Sequence, residues 1–176
     1  MRAFVAVFPP REVQRTLVEA ARSLPTEAFR LIVPERVHLT LKFLGEVPPE
    51  DLPRLASALE RMERPGAPYE AATSGFGVFP SARRARILWA GIGDGSEELV
   101  SLAHAVEAAL EPEGFDREDR PFVPHMTLGR ARRPATFDPS AAALPELRFP
   151  VRKLHLVESR HEGSGVVYSS LAEYRL

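Results

Sequence analysis

Apolar positions along the chain recur with two periods, one of two residues and one of three to four, and stretches of the two kinds alternate from end to end. Residues 2–8 read as a strand stopped by Pro9-Pro10. Val13, Leu17, Ala20, Ala21 and Leu24 then form one stripe at helical spacing, and Pro25 ends it. Phe29 to Val33 reads as a short strand and Pro34-Glu35-Arg36 as a turn. From Val37 to Phe43, apolar Val37, Leu39, Leu41 and Phe43 alternate with polar His38, Thr40 and Lys42, the period of a half-buried strand. Gly45 and Pro48-Pro49 close that strand. A helix over 50–63 follows, with Leu52, Leu55, Ala56, Leu59 and Met62 on one side and Pro65-Gly66 as its stop.

Tyr69 to Phe79 reads as a strand in which Gly75 and Gly77 mark a close approach of backbone or ligand. An arginine-rich loop, Ser81 to Arg86, leads into a buried strand, Ile87 to Ile92. Asp94 or Ser96 is placed to cap a third helix, whose inner stripe is Leu99, Leu102, Ala103, Val106 and Leu110. Residues 113–121 are charged and irregular, and Phe122-Val123-Pro124 leads into a strand ending at Arg130. Asp138-Pro139 opens a short helix up to Leu144. Leu147 to Ser159 and Val166 to Leu176 read as strands around the turn Glu162-Gly163-Ser164-Gly165. Several short strand-to-strand connections favour antiparallel pairing, and so an α+β fold over a doubly wound parallel sheet.

One pattern occurs twice. His38-Leu39-Thr40-Leu41 and His125-Met126-Thr127-Leu128 share the order histidine, apolar, threonine, apolar, about half the chain apart. Each puts an imidazole and a hydroxyl on one strand face, roughly 7 Å apart, with the apolar residues facing a core. Two such pairs describe one site with two-fold character.

Composition narrows what that site can do. The 176 residues make one ordinary domain or two small lobes. No apolar run approaches the roughly 20 residues of a membrane helix. The opening Met1 to Phe8 lacks the longer apolar region and cleavage site of a signal peptide, so a cytoplasmic location is expected. The absence of cysteine excludes a disulfide frame, a thiolate nucleophile and a Cys-ligated metal. A formal net charge of −1 excludes a globally basic surface, so a nucleic-acid partner must be met by a local patch.

Two imidazoles and two hydroxyls suit acid–base chemistry at phosphate. Histidine titrates near neutrality, so one member of a pair can accept a proton while the other donates one. Opening a cyclic phosphodiester needs a base for the incoming oxygen and an acid for the departing one. Threonine hydroxyls can donate to the non-bridging oxygens, where charge builds. No Walker-type or GxGxxG loop is present, and neither a metal nor another cofactor is expected. The pseudo-symmetry leaves open which histidine is the acid.

The stretches Arg36 to Glu46 and Phe122 to Arg130 resemble the paired HxTx motifs of the LigT-like enzymes. These are the RNA 2′,3′-cyclic phosphodiesterases, or 2′-5′ RNA ligases, of the two-histidine phosphoesterase superfamily. Arg2 to Ala6, Leu88 to Gly91 and Leu156 to Ser159 are similar as well, so the resemblance spans nearly the whole chain. It implies two pseudo-symmetric lobes within one bilobal domain over residues 1–176, each an antiparallel sheet with helices on its outer face, around a central cleft. It implies metal-independent hydrolysis of RNA 2′,3′-cyclic phosphate ends, including those of tRNA fragments, to 2′-phosphates, and joining of such ends to 5′-hydroxyl RNA. It makes His38 the proton donor and His125 the acceptor, in a monomeric protein. Two rival readings keep the same cleft. One is a phosphodiesterase acting on a 2′-5′ oligonucleotide or cyclic ADP-ribose phosphate, and the other is a non-catalytic RNA-end-binding module.

The remaining candidates are weaker. Strict alternation puts Arg130 opposite Thr127, although a bulge would turn it toward phosphate with Thr40 and Thr127. Lys42 shares the His38 face, at the cleft's edge or in solvent. Arg83, Arg84 and Arg86 form a solvated cluster placed to steer an RNA backbone. Phe4 and Phe122 are core residues or base-stacking surfaces. His104 reads as a packed or rim residue, His155 as solvent-facing, and His161 as a turn residue outside any HExxH motif.

Overall fold

The structure, a computed structural model, describes residues 1–176 except Thr26, Ala67 and Ser164. The turn expected at Glu162 to Gly165 includes Ser164, which lies outside the described residues. Strand β1 (Arg2–Val7) leads into helix α1 (Arg11–Arg22), then β2 (Phe29–Leu31) and β3 (Leu39–Glu46). Helix α2 (Leu52–Arg61) precedes β4 (Tyr69–Phe79) and β5 (Ala85–Ile92). Helix α3 (Ser96–Leu110) precedes β6 (His125–Ala135), and β7 (Arg148–Val151), β8 (Lys153–Glu162) and β9 (Gly165–Arg175) complete the chain.

All strand pairs are antiparallel, in the order β7-β4-β5-β6-β3-β1-β8-β9, with β2 also against β6. The two halves of this sheet, each built around one HxT strand, meet where Leu39 pairs with Met126. All three helices pack on one face. Leu17, Val18 and Ala21 of α1, Leu55 and Leu59 of α2, and Leu99, Leu102, Val106 and Leu110 of α3 close over Val5, Leu39, Leu41, Leu88, Met126 and Leu128. Each large aliphatic side chain enclosed there stabilises the fold by about 1.5–3 kcal/mol. The opposite face carries a small cluster of Phe4, Ala6 and Val157, with Phe8 and Tyr168 against it. That second face is where the histidines stand.

Several boundaries differ from the sequence reading. Asp94 and Ser96 do not cap α3. The N-cap is Gly95 at a φ of 81°, where an added Cβ would stand 2.9 Å from Ala71 Cα and from the Glu70 carbonyl oxygen, so glycine fits both the angle and the space. Asp94 instead accepts a hydrogen bond from Arg148 at 2.7 Å. Strand β6 runs past Arg130 to Ala135, held there by β2 and by Ala85 of β5. The expected strand from Leu147 breaks between β7 and β8, and the expected helix after Asp138 is one 3₁₀ turn over Pro139–Ala141.

Lys42 contradicts the expectation most sharply. It is 3% exposed, on the helix-covered face. Its Nζ donates to the Asp116 carbonyl oxygen at 2.6 Å and lies 3.8 Å from Glu107 Oε1, which also accepts from the Glu118 N–H at 2.9 Å. The pair thereby ties the irregular 113–121 segment to the core just before the second histidine strand. Removing one partner of such a buried pair costs about 3–5 kcal/mol, because the other charge is left alone.

Candidate active site

The Leu39–Met126 pair organises the site. Both side chains are fully buried beneath the sheet, so the residues on either side of each point to the open face. Carried one residue each way, the antiparallel register sets His38 opposite Thr127 and Thr40 opposite His125. The four expected residues thus lie at the corners of one small patch, related by an approximate two-fold axis through that pair. His38 immediately precedes β3 and His125 opens β6.

Each imidazole is fixed in the same way. His38 Nδ1 lies 2.7 Å from the Arg36 carbonyl oxygen, and His125 Nδ1 lies 2.7 Å from the Val123 carbonyl oxygen. A carbonyl only accepts, so both Nδ1 atoms carry hydrogen, and each Nε2 is left for a ligand. A neutral ring then offers a lone pair at Nε2, and a protonated ring offers N–H there.

Aromatic rings enclose both histidines. His38 stacks on Phe4 at 4.9 Å between centroids, with Phe8 at 5.4 Å and Tyr168 edge-on at 5.2 Å. His125 meets Phe79 edge-on at 5.0 Å and Trp89 at 6.0 Å. Trp89 occupies the space left by Gly77, where a Cβ would fall 2.1 Å from the indole ring. The close approach expected at that glycine is therefore made by a side chain of the site itself. Burial pushes the His38 pKa down to about 4, partly offset by its bond to Arg36 and reinforced by the positive charge of Arg130 and by His125. Burial likewise lowers the His125 pKa, against the bond to Val123 and with Arg130 adding to the shift.

A bulge after each motif decides what else reaches the patch. Between β1 and β3, Val5 pairs with Lys42 and Ala6 with Thr40, so Leu41 is the extra residue. Between β5 and β6, Leu88 pairs with Gly129 and Trp89 with Thr127, so Leu128 is the extra residue. Each bulge reverses the alternation. Lys42 and Gly129 turn to the core side, while Phe43 and Arg130 turn to the histidine face. Arg130 thus joins the site by the route that strict alternation denied it. Phe43, expected in the core, is 65% exposed and 6.3 Å from the Phe4 ring.

The other candidates fall elsewhere. Phe4 is a buried support under His38, and Phe122 packs on the edge of the main core. His155 is not solvent-facing: it is 8% exposed, beneath Phe8, with Nδ1 at 3.1 Å from Ser170 Oγ. It pairs with Ala6 on β1, which puts it on the same face as Phe4 and Phe8, under the ring that covers it. His104, His161 and Arg83, Arg84 and Arg86 are exposed. Phe8, Tyr168, Phe79 and Trp89 carried no local signal in the sequence, because four separate strands or strand ends bring them together. Among the described residues, no three His, Cys, Asp or Glu side chains converge to hold a metal ion, and no helix is long and apolar enough to cross a membrane.

Comparison with known proteins agrees with this geometry. An RNA 2′,3′-cyclic phosphodiesterase of Thermus thermophilus is 36% identical over all of this chain and 90% of its own length. One from Archaeoglobus fulgidus is 34% identical over 76% of this chain and 74% of its own. Among solved structures, a Thermus thermophilus protein aligns over 100% of this chain and 98% of its own, with a TM-score of 0.82 and 35% identity. Escherichia coli LigT complexed with 3′-AMP aligns over 99% of this chain and 97% of its own, with a TM-score of 0.82 and 26% identity. The model of the 2′-5′ RNA ligase superfamily matches residues 9–163, which include both histidine motifs, and the chain belongs to that superfamily.

Proposed function

We propose that this chain is an RNA 2′,3′-cyclic phosphodiesterase that opens the cyclic phosphate to a 2′-phosphate by two-histidine acid–base catalysis. The observation that carries the reading is the matched pair of Nδ1–carbonyl bonds, which leave two Nε2 atoms facing one cleft between two threonine hydroxyls. His125 takes a proton from water as its oxygen attacks phosphorus, the P–O3′ bond breaks, and His38 gives a proton to the departing 3′ oxygen. Thr40, Thr127 and Arg130 donate to the non-bridging oxygens, which gain charge in the transition state. When a 5′-hydroxyl RNA end replaces water, the same steps form a 2′-5′ linkage. The two lobes over residues 1–176 act as one unit, since each supplies half of the acid–base pair.

No step in this scheme uses a metal ion. The test is to incubate the protein with an oligonucleotide ending in a 2′,3′-cyclic phosphate, in excess EDTA, and to separate the products. The expected result is a 2′-phosphate end with the rate unchanged by chelator. A 3′-phosphate product, or loss of activity in EDTA restored by a divalent ion, would overturn the scheme.

A further inference from the structure

The cleft accounts for one terminal phosphate, yet a second feature begins at its edge. Arg30 of β2 pairs directly with Arg130 of β6, so two guanidinium groups share one face across adjacent strands. Like charges in that position are destabilising unless an anion lies between or beside them. The positive charge continues along β6. Arg132 and Arg133, with Arg30 and Phe29, line an open groove of about 680 Å³ in which Glu27 is the one acidic residue among those described.

Some surface arginines already have a partner. Arg54, Arg117, Arg148 and Arg160 each lie within ion-pair distance of a carboxylate. Arg30, Arg130, Arg132 and Arg133 are all exposed and have no such partner among the described residues. Along β6, Arg130 and Arg132 follow His125 and Thr127 outward on one face, at roughly 7 Å for every second residue, and Arg133 lines the same groove as Arg132. On a chain of formal net charge −1, that is a local feature and not a share of a general excess.

We propose that this groove binds the sugar–phosphate backbone of RNA beyond the reacting end, and so adapts the enzyme to polynucleotide ends over free cyclic nucleotides. The inference rests on the cyclic-phosphate reading of the cleft and extends it to the body of the strand. Arg30, Arg132 and Arg133 meet successive backbone phosphates while Arg130 holds the reacting one. Contacts of this kind carry no base specificity and weaken as salt rises.

The test compares two substrates, a 2′,3′-cyclic mononucleotide and a ten-nucleotide RNA ending in the same cyclic phosphate. Wild type and the double variant Arg132→Ala/Arg133→Ala are assayed across a salt series. For the oligonucleotide, the variant should lose about tenfold in kcat/KM at low salt, and its slope against log salt should flatten by about 1.4, for two lost single-strand phosphate contacts. For the mononucleotide, kcat/KM should be unchanged, which also shows that the variant is folded. Equal losses on both substrates, or no loss on the oligonucleotide, would overturn the inference while leaving the reading of the cleft intact. A wild type inactive on both substrates would overturn that reading, and this inference with it.

Discussion

The two halves of the site share a backbone and differ in side chains. Each has a histidine locked through Nδ1 to the carbonyl two residues before it, a threonine on the same face, and a bulge at the next residue. The fifth residue after the histidine then turns into the cleft, and there the symmetry ends. One half presents Phe43 and the other Arg130. Beneath them, one half buries Lys42 against Glu107, where the other has Gly129 close under Leu31 and Phe29 of β2. Under the proposed mechanism the repeated backbone supplies paired proton chemistry, and the unlike side chains give the cleft a direction. In the proposed scheme a phosphate is drawn to the Arg130 side, which leaves the apolar Phe43 surface for the base.

The largest expected effect tests the shared part. Replacing either His38 or His125 with alanine should lower kcat by about 10²–10⁴-fold, the usual contribution of a positioned proton transfer. Both variants should keep the wild-type melting temperature to within a few degrees, because neither ring is part of the helix-covered core. Near-normal turnover in one variant would mean that its half of the repeat is not catalytic.

The unlike residues should give unlike phenotypes. Arg130→Ala removes a charged donor from the transition state and should lower kcat by about 10²–10³-fold. Phe43→Ala removes a stacking surface worth about 1–3 kcal/mol, and should appear mainly in KM. Steady-state kinetics on a cyclic mononucleotide separates the two. Matching losses in kcat would remove the division of labour proposed for the two halves.

The smallest effect is a displacement of pH profiles. Burial and Arg130 depress both histidines in the free protein, His38 to about 4, so both are neutral at pH 7. The anionic phosphate favours the imidazolium form and raises both pKa values when it binds. The kcat/KM profile reports the free enzyme, so its limbs should lie below the ordinary histidine value near 6.5. The kcat profile should sit at higher pH, with limbs that belong to the coupled pair. A kcat/KM optimum at or above pH 7 would contradict the burial assigned to these rings.

Much of this was legible in the chain, and the exceptions have physical causes. The repeated histidine and threonine showed themselves because alternation is local, and the helix stripes at Leu17, Leu55 and Leu99 were legible for the same reason. The bulges at Leu41 and Leu128 were not. Each adds one more apolar residue to a string that already alternates, so nothing in the order of residues marks the point where the faces exchange. Lys42 therefore read as a surface residue and Phe43 as core, the reverse of their places. The aromatic enclosures were hidden for a different reason. Tyr168 reaches His38 from near the far end of the chain, and only the strand order β3-β1-β8-β9 brings it there.

The most direct test of the central claim asks which histidine serves the leaving oxygen. A substrate with sulfur in place of that 3′ oxygen releases a thiolate, which departs without a proton. The account predicts that this substrate restores most of the activity of His38→Ala and leaves His125→Ala impaired, since water must still be deprotonated. Rescue of His125→Ala alone would reverse the two roles, and rescue of neither would contradict acid catalysis by this pair.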